Sequence, residues 1–333
     1  MRAAIVSPHL GEPAVQAGVW TLPEVPPGHV LVKVIRSALN HNDALILEAR
    51  ENLAAPTISG SDAAGVVAAI AADGDHAEGD EVVVLPSLNW GPDPDQPLGT
   101  FEILGDESGG GTHAEYVVVP AENVFAKPPL FTWDQAAALP LAGVTAWRAL
   151  VTRGGLRAGQ TVVITAASSG VGTLAIQIAS ALGARVIAVT SSAARMQAAE
   201  ALGAHTVISR TRDQYTDELM TSVGTGADLV LDSTGDWDPL LSTLRRGGRL
   251  VTVGRTGTRH ATATVGKVFW EHLSILGSSM GSPSDFSQLL AHVERRPWAP
   301  VVDSVFVLSD VRLAYDRLAS PERIGKVVLD PTQ

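Results

Sequence analysis

The sequence predicts an α/β protein with a β-rich amino-terminal part followed by a doubly wound parallel sheet. Three observations carry that reading. Through roughly residue 120 the apolar runs are short, separated by proline- and glycine-rich turns, with few helical patterns between them. From Thr161 onward, strand-like and helix-like segments alternate. The run Thr161 to Thr190, TVVITAASSGVGTLAIQIASALGARVIAVT, is by itself a strand, a small-residue turn, a helix and a second strand. A parallel crossover connection requires that unit.

Ala3 to Val6 and Val30 to Ile35 read as strands, and Pro23, Pro26, Pro27 and Gly28 mark a turn into the second. Val30, Val32 and Val34 alternate, as on a strand with one buried face. Next comes the polar run Ser37-Ala38-Leu39-Asn40-His41-Asn42-Asp43, and a helix over Ala44 to Arg50. Two readings of this run fit: a helix start capped by Asn42 or Asp43, or a site. Gly60 to Val67 surrounds one acid, Asp62, with small residues, and Val82 to Leu85 is a strand after the turn Gly79-Asp80-Glu81. Residues 86–112, rich in Pro, Gly and Asp, predict a long loop, and loops of that length are usually functional or mobile. Trp90 within it either covers a site or simply packs. Gly109-Gly110-Gly111 leads to a strand over Ala114 to Pro120. Helices are expected over Asp134 to Leu139 and Thr145 to Val151, flanking Pro140 to Val144.

Past Thr190 the pattern gives a helix (Met196 to Leu202), a strand (Thr206 to Ser209), a helix (Thr216 to Val223) and a strand (Asp228 to Ser233). A helix (Pro239 to Leu244) and strands over Arg249 to Gly254 and Ser274 to Ser279 follow. That makes six strand candidates from Thr161, the number a full dinucleotide-binding sheet needs. The remainder reads as a helix (Asp285 to Arg295), a strand (Val301 to Leu308), a helix (Val311 to Leu318) and a strand (Gly325 to Leu329).

The turn after the Thr161 strand is a relaxed glycine-rich loop, with small residues Ala167, Ser169 and Gly172 at the first, third and sixth places of the dinucleotide fingerprint. Small side chains let backbone approach a pyrophosphate, and the helix N-terminus offers free N–H groups and partial positive charge. At the tip of the second strand stands Thr190-Ser191-Ser192-Ala193-Ala194-Arg195. It holds no carboxylate to bind both ribose hydroxyls and repel a 2′-phosphate. Ser191, Ser192 and Arg195 can bind one, and Arg210 is a second cation at that edge. NADP(H) is therefore the expected cofactor, with helix capping as a concurrent role for the two serines.

With 333 residues the chain is long enough for about two domains, and its charge of −11 argues against nucleic acid or an anionic membrane surface as partner. There is no cysteine, hence no disulfide framework and no thiolate metal site. The N-terminus enters a strand directly, without a signal-peptide core, and no apolar run reaches membrane-span length. A cytoplasmic protein is the expectation.

In order, Gly60 to Val67, Gly79 to Val84, Gly111 to Pro120, Thr145-Ala146-Trp147, Ala167 to Gly172, Asp232 to Gly235, Gly247 to Arg249 and Gly325 to Leu329 resemble the medium-chain dehydrogenase/reductase superfamily over essentially the whole chain. The resemblance implies a GroES-like catalytic domain from both chain ends (1–125 and 281–333), an inserted Rossmann domain (126–280) and a cleft between them. It implies that Thr145, Ser169, Gly170, Val171, Gly172, Ser233, Gly254, Leu276, Gly277, Ser278 and Ser279 line the NADPH channel. Zinc members hold the catalytic metal at three places that here are Asn40, Ser61 and about Leu141, none a competent zinc ligand. The four-cysteine structural zinc lobe is absent too, and the nine histidines are scattered. No metal is expected.

What remains is similar to the zinc-independent quinone oxidoreductase and enoyl reductase branch, in which an asparagine typically stands at the place of Asn40. The implied activity is hydride transfer from NADPH to a quinone or an α,β-unsaturated carbonyl. Asn40 and Asn42 are the candidate donors to a developing oxyanion, and Asp43 and Asp62 are taken to orient neighbours. His113, at a place usually aromatic, is given no role. Phe269, Trp270 and His272, ahead of the last Rossmann strand, are placed either to meet the acceptor or a dimer partner or to pack, and packing is the expectation for the two aromatics. A homodimer through the last Rossmann strand, near Ser274 to Ser279, is implied by the same resemblance. Two other readings stay open: a reductase of one biosynthetic enone or enoyl thioester, and an NADPH-binding sensor or scaffold with negligible turnover.

Overall fold

The computed structural model describes residues 1–72, 76–106, 110–254, 256–258 and 260–333, so Gly109 of the expected triple-glycine turn lies outside the described residues. The chain forms two compact units, Met1–Ala142 with Ser282–Gln333, and Gly143–Gly281.

In the first unit, β1 (Arg2–Val6) pairs antiparallel with β2 (Val15–Val19) and β4 (Thr57–Ile58). The long strand β3 (His29–Ala38) organises a seven-stranded sheet. On it pair β5 (Asp62–Ile70), β9 (Tyr116–Pro120) and the C-terminal β18 (Lys326–Asp330). Beyond them lie β6 (Glu81–Val84), β10 (Val124–Ala126) and β17 (Val302–Val307). Val30, Val32 and Val34 are fully buried against Val67, Val82, Val84, Val117 and Val119. Each such valine contributes about 1.5–3 kcal/mol of burial. The stretch expected as an open loop folds back on a short ladder, β7 (Ser87–Leu88) with β8 (Glu102–Ile103). Trp90 is 2% exposed there, edge-on to Phe101 at 5.3 Å, with Nε1 donating to the Asp93 carbonyl. It packs.

Helix α1 (His41–Glu48) begins one turn earlier than expected. Its N-cap is Asn40 rather than Asn42 or Asp43, because the Asp43 carboxylate at the third helical position accepts the Asn40 backbone N–H at 2.6 Å. Helix α2 (Trp133–Ala137) packs on β3 and β5, which keeps residues 126–142 in the first unit and moves the boundary expected at 125/126 to 142/143. Pro140 starts α3 (Pro140–Trp147) instead of interrupting it, since its missing N–H is one the first turn cannot use. A π-helical turn over Arg148–Arg153 follows.

The second unit is a six-stranded parallel sheet of β11 (Thr161–Ile164), β12 (Arg185–Thr190), β13 (Thr206–Ser209), β14 (Ala227–Asp232), β15 (Leu244–Thr252) and β16 (Ser274–Gly277). Its spatial order is β13-β12-β11-β14-β15-β16, the Rossmann arrangement. The crossovers carry α4 (Gly170–Ala181), α5 (Ala193–Ala201), α6 (Tyr215–Val223) and α7 (Trp237–Ser242). A further helix not expected from the sequence, α8 (Val265–Trp270), precedes β16. One core cluster joins Val163, Ile187, Val230 and Leu250 of the sheet to Leu219, Leu240 and Leu241 of the helices.

The chain returns to the first unit through α9 (Pro283–Arg295) and α10 (Val311–Ala319). No helix among the described residues is long and apolar enough to cross a membrane.

Candidate functional site

Two features stand out, one in each unit. In the second, the order of the sheet reverses between β11 and β14, the point where open α/β sheets bind ligands. The loop leaving β11 is tightly made. Ala166 is left-handed (φ 46), and Ser169 caps α4 by accepting the Gly172 N–H at 3.0 Å. A Cβ on Gly172 would lie 2.4 Å from the Ala166 carbonyl oxygen, so only glycine lets the helix start this close to the loop. Ser169, Gly170, Val171 and Gly172 thus form the helix N-terminus. The loop after β14 is fixed by Asp232, fully buried, which accepts from Thr165 Oγ1, Thr234 N, Thr234 Oγ1 and Gly235 N at 2.7–2.9 Å. Thr165 Oγ1 in turn accepts the Ser233 N–H. The sequence singled out Ser233 but missed Asp232 as the residue that shapes its loop.

At the tip of β12 the two serines divide their tasks. Ser192 caps α5, accepting the Arg195 N–H, and the Ser191 hydroxyl accepts from Arg195 Nη1 at 2.8 Å. Burial lowers the Arg195 guanidinium below its usual pKa. The Arg210 backbone is held beside Thr190, and its side chain lines a cavity of about 450 Å³ with Thr234, Gly235, Asp236, Trp237 and His260. Gly254 follows the carboxyl end of β15, Leu276 and Gly277 are the last residues of β16, and Ser278 and Ser279 follow it, with the Ser278 N–H on the Thr252 carbonyl. Thr145 is buried in α3.

In the first unit the four predicted polar residues are neighbours. The β3–β5 register sets Ala38 opposite Asp62, and the β18–β3 register sets Val328 opposite Ala38, which carries Lys326 to the level of Asn40. Asn40 Nδ2 donates to Asp62 Oδ2 at 2.9 Å and, at 3.4 Å, to the Ala38 carbonyl. Lys326 Nζ donates to Asp62 Oδ2 at 2.7 Å and to Asn40 Oδ1. Asp62 Oδ1 accepts the Leu141 N–H at 2.7 Å. Asn40 is therefore committed within the protein and is not the free amide donor expected. Asn42 is different: its Nδ2 is buried and has no partner among the described residues. Lys326 was missed as a member; the one signal was a lysine opening an otherwise apolar strand.

Behind Asn40, Asp43 and His113 are both fully buried, with His113 Nε2 3.8 Å from Asp43 Oδ2. Burial raises Asp43 to about 7 and lowers His113 to about 3. His113 Nδ1 is bonded to Ser37 Oγ at 2.8 Å, and a Cβ on Gly60 (φ +103) would meet the ring at 2.3 Å. The residue given no role is thus the inner wall of the cluster.

The donor sets answer two questions. A dinucleotide fits the second unit: the Gly172 approach, the α4 N-terminus and the β14 loop make a cradle, and Ser191 with Arg195 suits a phosphate. Zinc does not fit the first. The three places that bind it by resemblance carry an amide, a hydroxyl and an apolar side chain. No trio of His, Cys, Asp or Glu among the described residues could hold a metal ion.

Residues 26–129 match the family model described as alcohol dehydrogenase GroES-like domain, and residues 170–295 that of zinc-binding dehydrogenase. A zinc-type alcohol dehydrogenase-like protein of Schizosaccharomyces pombe is 31% identical over 316 residues, 91% of each chain. A chloroplastic NADPH-dependent alkenal/one oxidoreductase of Arabidopsis thaliana is 31% identical over 317 residues, 93% of this chain and 74% of that one. The crystal structure of an NAD-dependent alcohol dehydrogenase has a TM-score of 0.89 at 35% identity over 99% of each chain. With both family models matched in order and such identity along nearly the full length, the chain is an oxidoreductase of the medium-chain dehydrogenase/reductase superfamily.

Proposed function

We propose that this protein is a metal-free, NADPH-dependent reductase of α,β-unsaturated carbonyl compounds or quinones. One observation carries the reading: where zinc members hold their metal, this chain has the Asn40–Asp62–Lys326 network, while its dinucleotide cradle is complete. Without a Lewis acid to polarise a simple carbonyl, the acceptor must itself be electron-poor, and conjugation makes it so. The similarity to an alkenal/one oxidoreductase supports the same acceptor class.

When bound, the dihydronicotinamide supplies the hydride; the protein's part is binding, orientation and exclusion of water. The α4 N-terminus and the Asp232-held loop receive the dinucleotide, and Ser191 with Arg195 selects the 2′-phosphate. Asn42 Nδ2 donates to the acceptor oxygen as negative charge develops there. Asp62 and Lys326 hold Asn40, and Asp43 holds the turn that carries Asn42.

Turnover tests this directly: NADPH oxidation with a panel of enones and a panel of quinones. Consumption with one or both panels is expected, and tight NADPH binding with no turnover would instead favour a sensor. For the cofactor, Arg195→Ala should weaken NADPH binding about tenfold to a hundredfold, the loss of a charged hydrogen bond, and leave NADH nearly unchanged. Equal loss for both would remove Arg195 from the 2′-phosphate site.

We also propose that β16 pairs with its copy in a homodimer. It is the edge of the parallel sheet, and beside it Val265, Phe269 and Trp270 are 75%, 64% and 68% exposed. The two aromatics, expected to pack into the fold, contact one another edge-on at 6.4 Å and remain on the surface. Sedimentation should show a dimer, and Phe269→Glu with Trp270→Glu should make it monomeric; an unchanged sedimentation coefficient would count against this face.

A further inference from the structure

Lys326 is 3% exposed, and the carboxylate it meets, Asp62, is fully buried. Burying two charges is costly unless the geometry satisfies both. Here the geometry closes a ring. The ammonium donates to Asp62 Oδ2 and to Asn40 Oδ1, and Asn40 Nδ2 donates back to the same Asp62 oxygen. The remaining Asp62 oxygen takes the Leu141 N–H at the start of α3. Two of the three places where the resemblance puts zinc ligands, Asn40 and Leu141, are thus joined through Asp62, beside the third, Ser61. The centre of the arrangement is a nitrogen cation bound by two oxygens.

We infer that Lys326 is the resident cation of this site, a positioning residue whose ammonium stands in for a divalent metal ion and fixes which way the Asn40 carboxamide faces. An amide can present oxygen or nitrogen at nearly equal steric cost. With Nζ on one side and Asp62 on the other, only one orientation leaves each atom its proper partner. The Asn40 backbone, which receives Asp43 and begins the turn carrying Asn42, is anchored with it. A lysine does this as a compact point charge on an apolar stem. Charge and stem can therefore be removed separately.

The test compares Lys326→Met, Lys326→Ala and the double variant Lys326→Ala with Asp62→Asn, each as the full chain, by thermal melting with and without Mn²⁺ and by the loss of free Mn²⁺ signal in electron paramagnetic resonance. Manganese is the probe because oxygen donors suit it. Lys326→Met, which keeps most of the stem but not the charge, should melt well below the wild type. Lys326→Ala opens space beside Asn40 Oδ1 and Asp62 Oδ2. It should bind one Mn²⁺ per chain and regain at least half of its lost melting temperature. The wild type and the double variant should neither bind nor respond. If Lys326→Ala folds only when refolded with Mn²⁺, the inference holds. It is overturned if Lys326→Met melts like the wild type, if folded Lys326→Ala ignores Mn²⁺, if Lys326→Ala fails to refold with Mn²⁺, or if the wild type binds the ion equally. None of these readouts uses turnover, so the result stands whichever acceptor the protein reduces.

Discussion

Replacing Asn42 by alanine is expected to lower kcat with an enone about a hundredfold, the usual effect of deleting one oxyanion donor, while NADPH affinity and melting temperature stay close to wild type. The reason lies in how the amides are used. Asn40 spends its Nδ2 hydrogens on Asp62 and Ala38, but Asn42 Nδ2 is buried with no protein acceptor among the described residues. A buried unpaired donor costs about 1–3 kcal/mol, a cost that an acceptor oxygen would offset. Because that cost is present in the free protein, its removal should not destabilise the fold. Asn42→Asp, similar in shape with an acceptor in place of the donor, should be at least as slow. Rate loss matched by loss of NADPH binding would mean that Asn42 acts on the fold or the cofactor instead.

Asp43→Asn should raise stability at pH 8, by at most about 4 kcal/mol, since the rise of Asp43 from 3.8 to about 7 is worth about 1.36 kcal/mol per unit. The sign follows from proton uptake. Between pH 3.8 and about 7 the folded protein holds a proton on Asp43 that the unfolded chain has released, so this group makes stability fall as pH rises. Above about 7 the full penalty of a buried carboxylate is present. Asparagine removes it and can still accept the Asn40 N–H through its carbonyl oxygen. His113 acts oppositely: lowered from 6.5 to about 3, it makes stability fall as pH drops through that window. In the wild type the two effects oppose each other from about pH 4 to 6.5. Urea unfolding across pH 4 to 8 should therefore be flatter for the wild type than for Asp43→Asn, which keeps only the acid-side decline. Parallel curves for the two proteins would show that Asp43 does not carry the shift.

Much of this was legible in the chain because it is local. The Thr161 to Thr190 unit, its glycine-rich turn and the strand-tip residues Ser191 to Arg195 sit within 35 consecutive residues, and each carries its reason in its neighbours. Gly172 is the sharpest case: the fingerprint asked for a small residue, and the backbone of Ala166 leaves room for nothing else. The first-unit cluster is the opposite kind of feature. Lys326 meets Asp62 across 264 residues and Asn40 across 286, through strand registers that no local pattern announces. His113 looked like an anomaly because its partners Ser37 and Gly60 lie far from it in the sequence. Edge elements were missed for a different reason. β2 and α8 bury little, so VQAGV and VGKVFW lack the periodicity that burial imposes. The same lack of burial left Phe269 and Trp270 on the surface.

Metal-free delivery of hydride to a conjugated acceptor is tested most directly by following the label. The protein is first treated with a strong chelator, then given an acyclic α,β-unsaturated ketone and NADPH carrying deuterium at the transferring position of nicotinamide C4. The expected product is the saturated ketone with one deuterium on its β-carbon, formed at the same rate before and after chelation. Deuterium on the carbonyl carbon of an alcohol would instead show direct carbonyl reduction, and a rate that falls with chelation and returns with zinc would show a metal enzyme.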